Sequence, residues 1–107
     1  MYIQNVMTVI ETPMFLRYAA EVWSDDERTE FVDFIAAQPD AGDVVPGAAP
    51  LRKVRWSRRG MGKRGGVRVI YFLAPTEGTI CLLLVYSKSK IDNLSPAFLR
   101  ALRKLME

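Results

Sequence analysis

Two runs of strand-forming residues in the second half of the chain constrain its fold more than any other feature. Val67 to Leu73 and Thr79 to Tyr86 are dominated by Val, Ile, Leu, Tyr and Phe, with Pro75-Thr76-Glu77-Gly78 between them. The apolar stretch Ile80 to Tyr86 is too short to span a bilayer and suits a buried strand. The short connection makes the two runs antiparallel neighbours. Upstream, Leu51 to Trp56 alternates in character. Leu51, Lys53 and Arg55 fall on one face, and Arg52, Val54 and Trp56 on the other. That predicts a third strand, joined to the next by the glycine-rich, basic stretch Arg58 to Gly66.

The first half reads as helical. Residues 2–10 are rich in strand formers and predict a first strand. Thr12-Pro13 then forms an N-cap with proline at the first helical position, and Met14, Phe15, Tyr18, Ala19 and Val22 follow at helical spacing. Ser24-Asp25-Asp26-Glu27 is a capping box whose extra acids complement the helix dipole. These carboxylates therefore have a structural explanation and are not read as catalytic or metal-binding. Phe31, Phe34 and Ile35 form the buried stripe of this second helix, which Pro39 ends. Residues 39–50 read as a loop, and Ser95-Pro96 caps a last helix with Phe98, Leu99, Leu102, Leu105 and Met106 on one side. The order is strand, helix, helix, three strands, helix. It predicts an α+β fold in which the helices pack on one face of a small antiparallel sheet. A chain of 107 residues has room for one such domain, spanning 1–107.

The formal net charge of +3 conceals a strong asymmetry. Residues 1–50 hold nine acids and two bases, whereas residues 51–107 hold thirteen bases and three acids. Between Leu51 and Thr76 there are eight bases and no acid. A solvated surface mixes its signs, so an unopposed basic stretch implies a polyanionic partner, with nucleic acid foremost. The bland alternative is a basic face neutralised by the chain's own acidic half. The N-terminus lacks the basic and apolar regions of a secretory signal. Cys81, read as a core residue, has no second cysteine to pair with, and a reducing cytoplasm is the expected compartment.

With no histidine in the chain, Ser-His-Asp and Cys-His catalysis are excluded, and no residue cluster has zinc-ligand spacing. Gly60 to Gly66 lacks the Gly-Lys-Ser/Thr ending of a phosphate loop and follows a strand without leading into a helix. What remains is a set of Lys, Arg and Tyr on adjacent strands: Lys53, Arg55, Arg68, Tyr71, Tyr86, Lys88 and Lys90. Arg68 points away from Val67, Val69 and Tyr71, so it needs a partner, an internal salt bridge or the open side of the sheet. Tyr71 and Tyr86 fit equally well as core tyrosines with hydrogen-bonded hydroxyls. Such a set can cleave RNA, because the substrate supplies its own nucleophile, the ribose 2′-hydroxyl. Arginine suits the phosphorane-like transition state, being always charged and able to grip two phosphate oxygens. A lysine crowded by other cations can act as a base near neutral pH. Composition alone does not separate such an enzyme from a passive RNA-binding sheet.

Leu51-Arg52-Lys53-Val54-Arg55-Trp56, followed by a basic turn and Gly65-Gly66-Val67-Arg68-Val69-Ile70-Tyr71-Phe72, resembles the RelE/HigB toxin family. Gly42-Asp43-Val44-Val45-Pro46-Gly47 is similar to a segment of the HigB branch, and Leu83 to Lys88 to the family's last strand. The resemblance covers about residues 39–92. It implies a bacterial type II toxin that needs no metal or cofactor and cuts mRNA in the ribosomal A site. It also implies a cognate antitoxin protein that silences the toxin, and no membrane partner. By position, Lys53 and Arg55 approach the RNA backbone and assist proton transfer, Arg68 stabilises charge at the scissile phosphate, and Lys88 ends the last strand. Arg52, Arg58, Arg59, Lys63, Arg64, Tyr71 and Lys90 complete the expected RNA surface. Two departures stand out. Ser87 replaces a glycine, and residues 90–96 lack the tyrosine or histidine of ribosome-dependent members, which leaves Tyr86, Lys88 and Lys90 as candidate proton carriers. Two other classes stay open: a ParE-like inhibitor of DNA gyrase, and a binding module without catalysis.

Overall fold

The structure is a computed structural model, and it describes residues 7–57, 66–74, 78–87 and 94–104. Its elements are β1 (Thr8–Glu11), α1 (Pro13–Val22), α2 (Asp25–Ala37), β2 (Asp43–Val44), β3 (Arg52–Trp56), β4 (Val67–Ala74), β5 (Thr79–Ser87) and α3 (Pro96–Lys104). The strands form one five-stranded sheet in the order β1-β5-β4-β3-β2. The expected α+β class holds, with two helices before the main strands and one after. No described helix is long and apolar enough to cross a membrane.

Both N-terminal helices start where the sequence places them. The Thr12 hydroxyl accepts from the Phe15 amide at 3.1 Å and donates to the Leu82 carbonyl at 2.8 Å, so a single side chain caps α1 and ties it to β5. Ser24 and Glu27 form both halves of the capping box, at 3.2 and 2.7 Å. Arg28 then bridges α2 to β1 through Glu11 at 2.9 Å.

The sheet departs from expectation in three ways. β1 runs parallel to β5, pairing Thr8 with Thr79 and Glu11 with Leu82, so the sheet is mixed. The antiparallel expectation applies to strands joined by short turns, whereas β1 and β5 are separated by most of the chain. A two-residue strand, β2, forms inside the expected 39–50 loop and pairs Asp43 with Lys53 and Val44 with Arg52. The third departure is that the helices do not share a face. Phe15 and Ala19 of α1 and Phe31 and Ile35 of α2 pack on Val54, Val67, Val69, Tyr71, Ile80, Leu82 and Val85. Leu102 of α3 packs on the opposite face with Leu51, Ile70, Leu83, Leu84 and Tyr86. Strands apolar on both sides need cover on both sides, and helices on one face alone would have left Ile70, Leu83 and Leu84 in water.

An aromatic row locks the α1/α2 side. Trp23 stacks on Phe31 at 5.3 Å between ring centroids, and Trp56 of β3 meets Phe31 at 5.5 Å and Phe34 at 4.6 Å. That row fixes the end of β3, and with it the direction in which Lys53 and Arg55 project on the other face.

Candidate functional site

Register and alternation gather four of the expected site residues on the α3 face. In β3, Lys53 pairs with Ile70 and Arg55 with Arg68; in β4–β5, Arg68 pairs with Tyr86. Lys53, Arg55, Arg68 and Tyr86 therefore share one face across three adjacent strands. Tyr86 joins them because of a β-bulge. Ile70 pairs with Leu84 but Tyr71 with Leu82, so Leu83 is the extra residue and both Leu83 and Leu84 face the α3 core. Without the extra residue, Tyr86 would fall on the same face as Ile80 and Leu82. Bulges recur beside functional sites because they re-aim side chains in this way.

Arg55 and Arg68 are Cα partners on the same face. Directly opposed side chains sit about 5 Å apart at Cβ, where like charges destabilise a sheet. Among the described residues, no carboxylate forms an ion pair with Arg55, Arg68 or Lys53. Arg55 and Lys53 are exposed and Arg68 is half-buried. Tyr86 is 5% exposed, and burial pushes its phenol pKa above the usual 10.0, an effect the neighbouring Arg68 partly offsets. The phenol is therefore neutral in the physiological range and can donate a proton or a hydrogen bond.

Two depressions flank this cluster. An open groove of about 570 Å³ runs along the β2–β3 edge between Asp43, Val45 and Pro46 on one side and Lys53 and Arg55 on the other. A smaller one of about 170 Å³ lies between Lys53, Ile70 and Tyr86 of the sheet and Leu94 and Leu99 beside it. Val45 and Lys53 line both, so the two adjoin. Asp43, Val45, Leu94 and Leu99 were not anticipated as site residues. The segment Gly42 to Gly47 stood out in the sequence, but nothing there showed that it pairs with β3.

Two expected RNA-contacting residues lie elsewhere. Tyr71 is fully buried on the opposite face, where its hydroxyl donates to the Pro39 carbonyl and accepts from the Gly42 amide, each at 2.8 Å. Burial raises its pKa, opposed by the Gly42 hydrogen bond and by Arg52. Arg52 faces the same way and donates to the Gly42 carbonyl at 2.6 Å. Both side chains are engaged in holding the 39–50 connection. A side chain at Gly42 would put its Cβ 2.8 Å from the Lys53 carbonyl and 2.9 Å from the Tyr71 hydroxyl, which explains the glycine. Arg58, Arg59, Lys63, Arg64, Lys88 and Lys90 lie outside the described residues. Cys81 is half-buried, with its thiol pKa pushed up by burial, as suits an inert packing residue.

No protein-family model matches the chain. Among solved structures it is similar to a mutant of the E. coli toxin RelE in the free state. The match has a TM-score of 0.58 and 12% identity, and it covers 81% of this chain and 88% of that one. The chain has a RelE-like fold.

Proposed function

We propose that this chain, as a single domain over 1–107, is a cytoplasmic toxin of a type II toxin–antitoxin system, of the HigB/RelE kind, that cleaves mRNA on the ribosome. The observation that carries this reading is the Arg55–Arg68 pair: two directly opposed guanidinium groups on an open face, with no acid ion-paired to either among the described residues. Two like charges held together at a cost to the sheet suit a site for a doubly charged group, such as the transition state of phosphodiester cleavage. The RelE-like fold and the sequence resemblance support the same reading.

In the proposed reaction the ribose 2′-oxygen attacks the adjacent phosphorus as its proton passes to a base, and the bond from phosphorus to the 5′-oxygen breaks. The 5′-oxygen takes up a proton, leaving a 2′,3′-cyclic phosphate and a 5′-hydroxyl. Arg68 and Arg55 bind the equatorial oxygens, where charge develops. Lys53 contacts the neighbouring backbone. Tyr86, protonated beside Arg68, donates to the leaving oxygen in this reading, which assigns it the acid's part rather than the base's. Lys88 and Lys90, next along the chain, are the candidates for the base. An adjacently encoded antitoxin covers this face when the toxin is silent.

The test is induced expression in a bacterial host, with 5′ ends mapped on translated and untranslated copies of one transcript. Cuts confined to the translated copy, ending in 5′-hydroxyls and absent for a folded Arg68→Ala protein, are expected. Growth arrest without cuts would instead indicate a gyrase-type inhibitor. Normal cleavage by Arg68→Ala would remove the arginine pair from the mechanism.

A further inference from the structure

The groove beside the arginine pair is not uniformly basic. Asp43 stands across from Lys53 in the β2–β3 register and lines the same groove. Its side chain is exposed, and among the described residues no hydrogen bond or ion pair engages its carboxylate, not even with Lys53. A carboxylate on the wall of a phosphate-binding groove repels the backbone that the groove attracts. It suits a different part of the nucleotide.

Sheet geometry indicates which part. From Arg55, Asp43 lies one strand across, about 4.8 Å, and two residues along, about 6.7 Å. A nucleotide whose phosphate rests on Arg55 and Arg68 can therefore extend its base along the groove towards Asp43. Val45 and Pro46 supply an apolar wall there against which a flat ring can lie. Single-stranded RNA exposes the Watson–Crick edges of its bases. An ionised carboxylate only accepts hydrogen bonds, and it can accept two side by side. Guanine offers two adjacent donors, N1–H and the N2 amino group. Adenine and cytosine set one amino group beside an acceptor, and uracil sets one N–H between two carbonyls. Guanine alone satisfies both carboxylate oxygens.

We propose that Asp43 is a specificity residue that selects guanine in the nucleotide next to the scissile phosphate. This rests on the ribonuclease reading above and goes beyond it by naming the base and the group that reads it.

The experiment presents the purified protein with translated messages randomised at the cut position and maps the 5′ ends base by base. The wild type is expected to favour guanine roughly tenfold or more, in keeping with one good bidentate contact. Asp43→Asn turns one acceptor into a donor, which matches the amino-plus-acceptor edges of adenine and cytosine. Its preference is expected to move to those bases. Cleavage by the wild type without a guanine preference would overturn the proposal. So would an Asp43→Asn protein that cuts with the wild-type distribution, since Asp43 would then be only the cross-strand counterpart of Lys53. If Asp43→Asn fails to fold, Asp43→Ala, expected to lose the preference without gaining another, is the second variant, and an unchanged guanine preference in it would overturn the proposal. No cleavage by the wild type on any message would overturn the nuclease reading, and the base-reading role with it.

Discussion

At the residue scale the most telling arrangement is an unfavourable one. Arg55 and Arg68 oppose each other across β3 and β4, where a Thr, Val or Glu partner would be more stable. A cost accepted in the fold and recovered on binding has a measurable signature. Arg55→Gln keeps a polar side chain and removes one of the two charges. It is expected to raise the unfolding free energy by about 0.2–1 kcal/mol, towards the lower end because Arg55 is exposed and its field is screened. Cleavage should fall in the same protein. Added sulfate or phosphate should stabilise the wild type more than Arg55→Gln, because only the wild type presents both guanidinium groups. Urea titrations with and without sulfate measure both effects. Equal stability of the two proteins in low salt, with equal response to sulfate, would mean that the pair carries no such strain.

At the element scale, what could be read from the sequence was what is local. The Thr12-Pro13 start of α1 and the Ser24–Glu27 box of α2 are written in adjacent residues, and both occur as expected. The alternation in β3 correctly put Lys53 and Arg55 opposite Val54 and Trp56. What could not be read was relational. β2 is two residues long and has no period; it exists because β3 lies beside it. α3 carries an apolar stripe, but a stripe does not say which face of a sheet it will cover, and only the consecutive apolar residues within β4 and β5 hinted that both needed cover. The bulge at Leu83 is invisible in a run of leucines, yet it sets the face of Tyr86. Tyr71 was ambiguous for the same reason, because its partners Pro39 and Gly42 are about thirty residues away in sequence. Tyr71→Phe leaves the Gly42 amide and the Pro39 carbonyl without that hydroxyl. It is expected to cost about 1–3 kcal/mol in urea unfolding, and to loosen β2 first. The pH dependence follows in sign. Burial raises the Tyr71 pKa above 10.0, so the native state holds this proton more tightly than the unfolded chain does. The hydroxyl's contribution is complete below pH 10 and is lost as pH rises through the raised native value. The gap between wild type and Tyr71→Phe should therefore narrow in strongly alkaline buffer.

At the scale of the whole molecule, the asymmetry between the two halves of the sequence becomes an asymmetry between the two sides of the sheet. The exposed acids Glu21, Asp25, Asp26, Glu30 and Asp33 ride on α1 and α2, on one side. Lys53, Arg55 and Arg68 open to the other, where α3 adds Arg100 and Lys104. No acid of the first half forms an ion pair with the basic strands among the described residues; Arg28, itself in that half, is what pairs with Glu11 and Asp25. A molecule polarised in this way steers a polyanion to one face and repels it from the other. Salt dependence of RNA binding measures how many charges take part. For single strands each phosphate contact contributes a slope of about −0.7 in a log–log plot of affinity against salt. Lys53, Arg55 and Arg68 alone thus predict about −2, and bases outside the described residues would steepen it. Removing Arg55 or Arg68 should make the slope shallower by about 0.7. Asp33→Lys adds the same sign of charge to the helical side and should leave the slope unchanged, because no phosphate reaches it. A slope made steeper by Asp33→Lys, by about twice what each arginine removal takes away, would mean that binding follows net charge, and that the basic face has no privileged role.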